Sequence, residues 1–166
     1  MKVNLALKPE RARELLSYNK DTGIFTWRLG RPKCTVGSVA GHSTNHGYIR
    51  IMVEGECYQA HRIAWLYVYG HWPTINIDHI NGDKADNRLV NLREANTTTN
   101  QENRRGAQSN NRTRVLGVSW HKIAKKFSAK IQVSGKSHHL GLFNTAEDAH
   151  AAYLSAKRKL HAGCTL

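Results

Sequence analysis

The eight residues KFSAKIQV, 126–133, alternate strictly, with Phe127, Ala129, Ile131 and Val133 on one side and Lys126, Ser128, Lys130 and Gln132 on the other. A period of two belongs to an extended strand that buries one face and wets the other. Ser134-Gly135 is a hairpin turn signal leading into KSHHLGLF, and GVSWH at 117–121 supplies a strand before it. Thr145, with Asp148 three residues on, forms a capping box, and Ala149, Ala152, Tyr153, Ala156 and Leu160 make one apolar stripe behind it. The stripe needs a sheet to cover it. Residues 115–166 are therefore expected to form a three-stranded antiparallel sheet packed on one helix, with the other sheet face open. Trp120 and Tyr153 are assigned to its core, and Lys157, Arg158 and Lys159 to the negative end of the helix.

The first part of the chain is α+β as well. PERARELL carries Pro9 in the first turn of a short helix, KDTGIFTWR reads as a turn and strand, and Gly55 closes a hairpin inside HGYIRIMVEGECYQAHRIAW. Residues 61–69 place Ile63, Leu66 and Tyr67 on a helix stopped by Gly70. RRGAQSNNRTR, 104–114, has no hydrophobic period and reads as a connection. The expected organisation is a domain over 1–105, a linker over 106–114 and a second domain over 115–166.

Charge narrows the partner. The 166 residues hold 25 Lys and Arg against 12 Asp and Glu, net +13. Residues 1–105 carry 15 basic and 10 acidic side chains, and residues 106–166 carry 10 and 2, so the smaller part is the more concentrated polyanion binder. No apolar run approaches the roughly 18 residues of a membrane span, which leaves nucleic acid ahead of a membrane surface. The N-terminus lacks the pattern of a secretory signal, and a cytoplasmic location is expected. Cys34, Cys57 and Cys164 are far apart without C-x-x-C spacing, so neither a disulfide framework nor a zinc site is expected.

The stretch IDHINGDKADNRLVNLREANTTTNQEN, 77–103, sets Asp78 beside His79 within that basic background. Hydrolysis of a phosphodiester needs a base near neutral pKa for water, and positive charge on the phosphate. Histidine can be the base. A carboxylate and an asparagine amide oxygen suit a hard divalent cation, and several asparagines here could be the second ligand. Adjacent residues of a regular strand face opposite ways, so a shared site for Asp78 and His79 requires a twist or bulge. Asn81, Gly82, Asp83, Asn87 and Arg88 read as a turn-rich loop, with Asp83 and Asp86 as solvated charges.

HRIAW at 61–65, followed by IDHINGDKADNRLVNL and TNQEN, resembles the HNH endonucleases, and within them the H-N-N subgroup of bacteriophage homing endonucleases. The resemblance covers about residues 58–105 and implies a ββα-metal fold around one ion, Mg2+ or Mn2+. It implies His79 as general base, Asn91 as the asparagine that orients it, and Asp78 and Asn100 as metal ligands, with Thr97 or Thr98 capping the helix that carries Asn100. His61 and Arg62 are candidate accessory residues, and Tyr48, Arg50 and Arg62 candidate contacts to the DNA backbone.

Residues 115–162 resemble the DNA-binding domain of plant ethylene-response factors, the APETALA type, which implies that the open sheet face enters the major groove. The matching contact positions are Ser119, His121, Lys130, Gln132, Ser137 and His139, and Lys122, Lys125, Lys126 and Lys136 are candidate phosphate contacts. Several arginines and tryptophans of that family are replaced here, so its target sequence does not transfer. The expected function is a metal-dependent endonuclease on double-stranded DNA, acting as a monomer or DNA-dependent dimer in a phage-infected bacterium. A DNA-binding regulator without cleavage is the alternative, and an RNA-binding protein a third class.

Overall fold

The computed structural model describes residues 7–30 and 34–165. The first six residues, where the expectation about a signal segment partly falls, lie outside them. The chain is a mixed α+β protein in two compact units, Met1–Ala95 and Asn96–Leu166. That division falls ten residues before the end of the domain expected over 1–105.

In the first unit, helix α1 (Pro9–Leu15) leads into strands β1 (Leu16–Tyr18) and β2 (Phe25–Trp27), an antiparallel pair. A second sheet has the order β3-β4-β5, from His42–Ser43, Ile49–Val53 and Glu56–Gln59. Its β4–β5 hairpin turns through Glu54 and Gly55, both at positive φ, as the position of Gly55 anticipates. Helix α2 (Ala60–Tyr69) follows at once and ends at Gly70. It buries His61, and its Ile63, Ala64 and Leu66 join a core shared with Leu16, Phe25, Ile51 and Val53. Arg13 donates twice to the Tyr67 carbonyl, at 3.0 and 2.6 Å, and so fastens α1 to the last turn of α2.

The unit finishes with a two-stranded ribbon, β6 (Asn76–His79) and β7 (Leu92–Ala95), joined by a loop whose end winds into a 3-10 turn at Leu89–Asn91. The N-terminal turn after β1 clasps this loop. Tyr18 Oη donates to the Asn87 carbonyl at 2.7 Å, and Leu89 N to the Lys20 carbonyl at 3.1 Å. Gly23 lies so close that a Cβ there meets the Arg88 nitrogen and Asn87 carbonyl carbon at 2.5 Å, and its φ is +74°. Only glycine satisfies both the approach and the dihedral.

The second unit opens with helix α3 (Thr97–Glu102). Its cap is Asn96, whose side chain accepts from Thr99 N at 2.8 Å, in place of the expected Thr97 or Thr98; the asparagine oxygen sits one residue earlier, at the true boundary. Glu102 accepts from Gly163 N at 3.0 Å and Asn103 from Thr165 Oγ1 at 2.6 Å, which ties α3 to the end of the chain. The sheet has the order β10-β9-β8, from Lys136–Phe143, Lys126–Val133 and Val118–His121, packed on helix α4 (Ala146–Leu160). Ser134-Gly135 forms the β9–β10 turn, and Thr145 accepts from Asp148 N at 3.1 Å, as the capping box requires.

Three features of this unit differ from the sequence reading. Leu160, expected on the stripe, is 48% exposed, while Lys157 is 1% exposed and donates to the Arg104 carbonyl. Lys157 lies four residues after Tyr153, so the helix period turns it inward and its ammonium finds a backbone acceptor. Trp120 is 48% exposed, because the cluster under α4 is built from Val118, Ala129 and Ala149, and Trp120 instead meets the ring of Phe127 at 4.9 Å. Ser128, expected on the wetted side of its strand, is 2% exposed.

Gly23→Ala is expected to lower unfolding free energy by about 1–3 kcal/mol, through strain and overpacking against the β6–β7 loop. A urea titration checks it, and an unchanged midpoint contradicts the clasp.

Candidate active site

The β6–β7 loop is built around one buried amide. Asn91 is 5% exposed; its Oδ1 accepts from Asn81 N at 2.9 Å and its Nδ2 donates to the Asp86 carbonyl at 2.8 Å. Its own carbonyl accepts from Ile80 N at 2.9 Å, and its nitrogen donates to Arg88 O. One side chain thereby joins both limbs of the loop. Asn81 and Asp83 make turns with backbone nitrogens two residues on, the local role expected of them. Asp86 is not a solvated charge: it takes both Nε and Nη2 of Arg88 and Nδ2 of Asn81, and the Arg88 pairing draws its pKa down to about 2.

This loop carries a neighbour for His79. The imidazole is 4% exposed, and its Nε2 lies 3.4 Å from Asn87 Oδ1. Asn87 Nδ2 donates to the Ala85 carbonyl at 3.0 Å, which fixes the amide's orientation and presents its oxygen to the ring. An amide oxygen only accepts, so Nε2 carries the hydrogen and the lone pair falls on Nδ1. Asn87 is thus a loop residue that meets an imidazole nitrogen, and Asn91 shapes the loop that carries it. The sequence reading missed Asn87 because its turn-forming company reads as loop scaffolding. The signal available was an asparagine eight residues after the histidine in a loop too short to bury much else.

The rest of the wall comes from earlier strands and α2. Tyr48 stands with its ring 6.0 Å from that of His79 and 5.5 Å from that of His61, and the two histidine rings meet edge to face at 4.9 Å. Lys84 Nζ sits 4.9 Å over the Tyr48 ring. Burial, then the neighbouring His79 and Arg62, push the pKa of His61 down to about 3. Burial also lowers His79, opposed by Asn87, Asp78, Asp83 and Asp86. Both rings are therefore neutral at neutral pH. Arg62 lies over the Trp72 ring at 5.9 Å, and Arg50 is exposed on β4.

Asp78 is 6% exposed and faces Arg93 across the ladder. The register runs evenly from Asn76↔Ala95 to His79↔Leu92, so no bulge separates Asp78 from His79. Of the two devices expected, the bulge is absent because His79 ends the strand. The turn starts at the next residue, and two-stranded ribbons twist strongly there. Asn100, the other expected ligand, is exposed on α3 in the second unit. A buried carboxylate and an amide oxygen are hard donors of the kind Mg2+ and Mn2+ accept, and the three cysteines are free thiols. Among the described residues no group of three or more His, Cys, Asp or Glu is gathered for a metal, and no helix is long and apolar enough to cross a membrane.

Residues 58–105 match the HNH endonuclease family. The HNH segment thus spans α2, the β6–β7 ribbon and α3, and includes His61, Asp78, His79, Asn87, Asn91 and Asn100. The chain is also similar to a solved structure concerning DNA binding and cleavage by the HNH homing endonuclease I-HmuI, at 19% identity and a TM-score of 0.41, over 89% of this chain and 88% of that one. No curated protein matches it.

In the second unit, Ser119, His121, Lys122, Lys125, Lys126, Lys130, Gln132, Lys136, Ser137 and His139 are all exposed. Lys130 pairs with His139 and Gln132 with Ser137 across β9 and β10, on the face opposite Ala129, which packs under α4.

The lowered pKa of His61 carries a sign. The unfolded chain takes up the proton near pH 6.5 and the folded one near 3, so stability present above 6.5 is lost as pH falls between those values. His61→Phe is expected to lose less stability than the native chain between pH 6.5 and 4, as read from melting temperatures; equal losses contradict a neutral buried His61.

Proposed function

We propose that the protein is a metal-dependent endonuclease that hydrolyses phosphodiester bonds in double-stranded DNA. The observation that carries this reading is His79: an imidazole buried in the segment that matches HNH endonucleases, with one ring nitrogen 3.4 Å from Asn87 Oδ1. Its Nδ1 lone pair takes the proton of the attacking water, while Asn87 holds the tautomer and Asn91 holds the loop. Asp78 would be one oxygen ligand of a Mg2+ or Mn2+ ion, and Asn100, by its place in the segment that matches HNH endonucleases, would be another. Such an ion, when bound, supplies positive charge for the phosphate and the departing 3′ oxygen. Lys84, over the Tyr48 ring, and Arg62, whose charge is felt at His61, add local positive charge.

The second unit acts as the DNA-recognition module, of the ethylene-response-factor type. Its open sheet face lies in the major groove, with His121, Lys130, Gln132, Ser119, Ser137 and His139 toward base edges and Lys122, Lys125, Lys126 and Lys136 toward phosphates. The setting is homing-type, site-directed cleavage in the cytoplasm of a phage-infected bacterium. One imidazole set makes one cut per protomer, so a monomer nicks, and a double-strand break takes a dimer on DNA or two successive events.

Purified protein is expected to cut plasmid DNA with Mg2+ and not with EDTA. His79→Ala should reduce the rate by about 100-fold or more, the range of a general base. Each of Lys122→Ala and Lys136→Ala should lower the salt slope of DNA binding by about one. Cutting that survives EDTA or His79→Ala contradicts the mechanism; tight, salt-dependent duplex binding with no cutting of randomised DNA favours a regulator.

A further inference from the structure

Arg93 stands directly across the ladder from Asp78, on β7. Its Nε and Nη2 both donate to a single carboxylate oxygen, Oδ2, at 3.1 and 2.9 Å. The two side chains are 27% and 8% exposed, so solvent screens the pair only partly. A carboxylate this deep is costly without a counter-charge, and Arg93 provides one from the neighbouring strand. The same guanidinium repels any cation that approaches Asp78 and already compensates much of the charge that such a cation would seek.

We infer that Arg93 is the positioning residue of the cation site: it holds the Asp78 carboxylate in place while no cation is bound, and it keeps the affinity of that carboxylate for a divalent cation low. This deepens the nuclease reading above and rests on its assignment of Asp78 as a ligand. The arrangement follows from the ribbon itself. Once Ile80 pairs with Asn91 at the loop, counting back along both strands brings Arg93 opposite Asp78. Arg88, the other arginine near the loop, is committed to Asp86 instead.

The test is Mn2+ binding by the full chain without DNA, followed by paramagnetic resonance of the free ion, with melting temperatures recorded with and without Mn2+. Arg93→Met keeps the aliphatic stem and removes the charge, and it is expected to bind Mn2+ about tenfold more tightly than the native chain, or better. Mn2+ should also raise its melting temperature more. Arg93→Lys keeps the charge and should stay near the native affinity, whereas Asp78→Asn should bind least. Arg93→Gln, a polar neutral replacement, makes the same comparison if the methionine variant fails to fold. Native binding that depends on Asp78 but is equal or weaker in the neutral variants overturns the role of Arg93 and leaves the nuclease reading standing. No Asp78-dependent Mn2+ binding in any of the proteins overturns the ligand assignment, and the inference with it.

Discussion

The side-chain amide of Asn91 is the interaction on which the candidate site depends. It accepts from Asn81 N and donates to the Asp86 carbonyl, so a loop of polar residues keeps one shape without a hydrophobic core of its own. Buried polar groups reward complete pairing and punish its loss, which makes such a network rigid. The rigidity passes to Asn87, whose amide is oriented by Ala85 and whose backbone is held by Tyr18. Asn87 then meets His79. A turn near the N-terminus, with Gly23 pressed on the loop, thus contributes to an imidazole more than fifty residues away in sequence.

Electrostatics divides the molecule in a consistent way. The chain carries net +13, yet the β6–β7 ribbon gathers Asp78, Asp83 and Asp86 around one histidine. Asp78 and Asp86 are each compensated by their own arginine, Arg93 and Arg88. The carboxylates favour the imidazolium of His79, burial opposes it, and burial is the larger effect. An imidazole that burial keeps neutral, beside carboxylates that favour its protonated form, suits the proton transfer proposed for His79.

Much of the architecture was legible because it is written in local periods and turn chemistry. KFSAKIQV and its Ser134-Gly135 turn, the Thr145 cap, and the Pro9 and Gly70 ends of helices depend on residues close in sequence. The HNH resemblance likewise directed attention to His79 and Asp78. What the sequence concealed depends on distant partners. Lys157 reads as a helix-end charge until the Arg104 carbonyl is seen above it, and Trp120 reads as core until the small extent of the cluster under α4 is known. Asn87 and Arg93 are single polar residues in a polar stretch. Only the ladder register and the fold of the loop give them to His79 and Asp78.

The most direct measurement of the central claim is the protonation state of His79, read from long-range proton–nitrogen correlations in imidazole-labelled protein at pH 7. The account predicts a neutral ring with hydrogen on Nε2, and loss of that tautomer preference in Asn87→Ala. A doubly protonated ring at pH 7, or a neutral ring with its hydrogen on Nδ1, contradicts it.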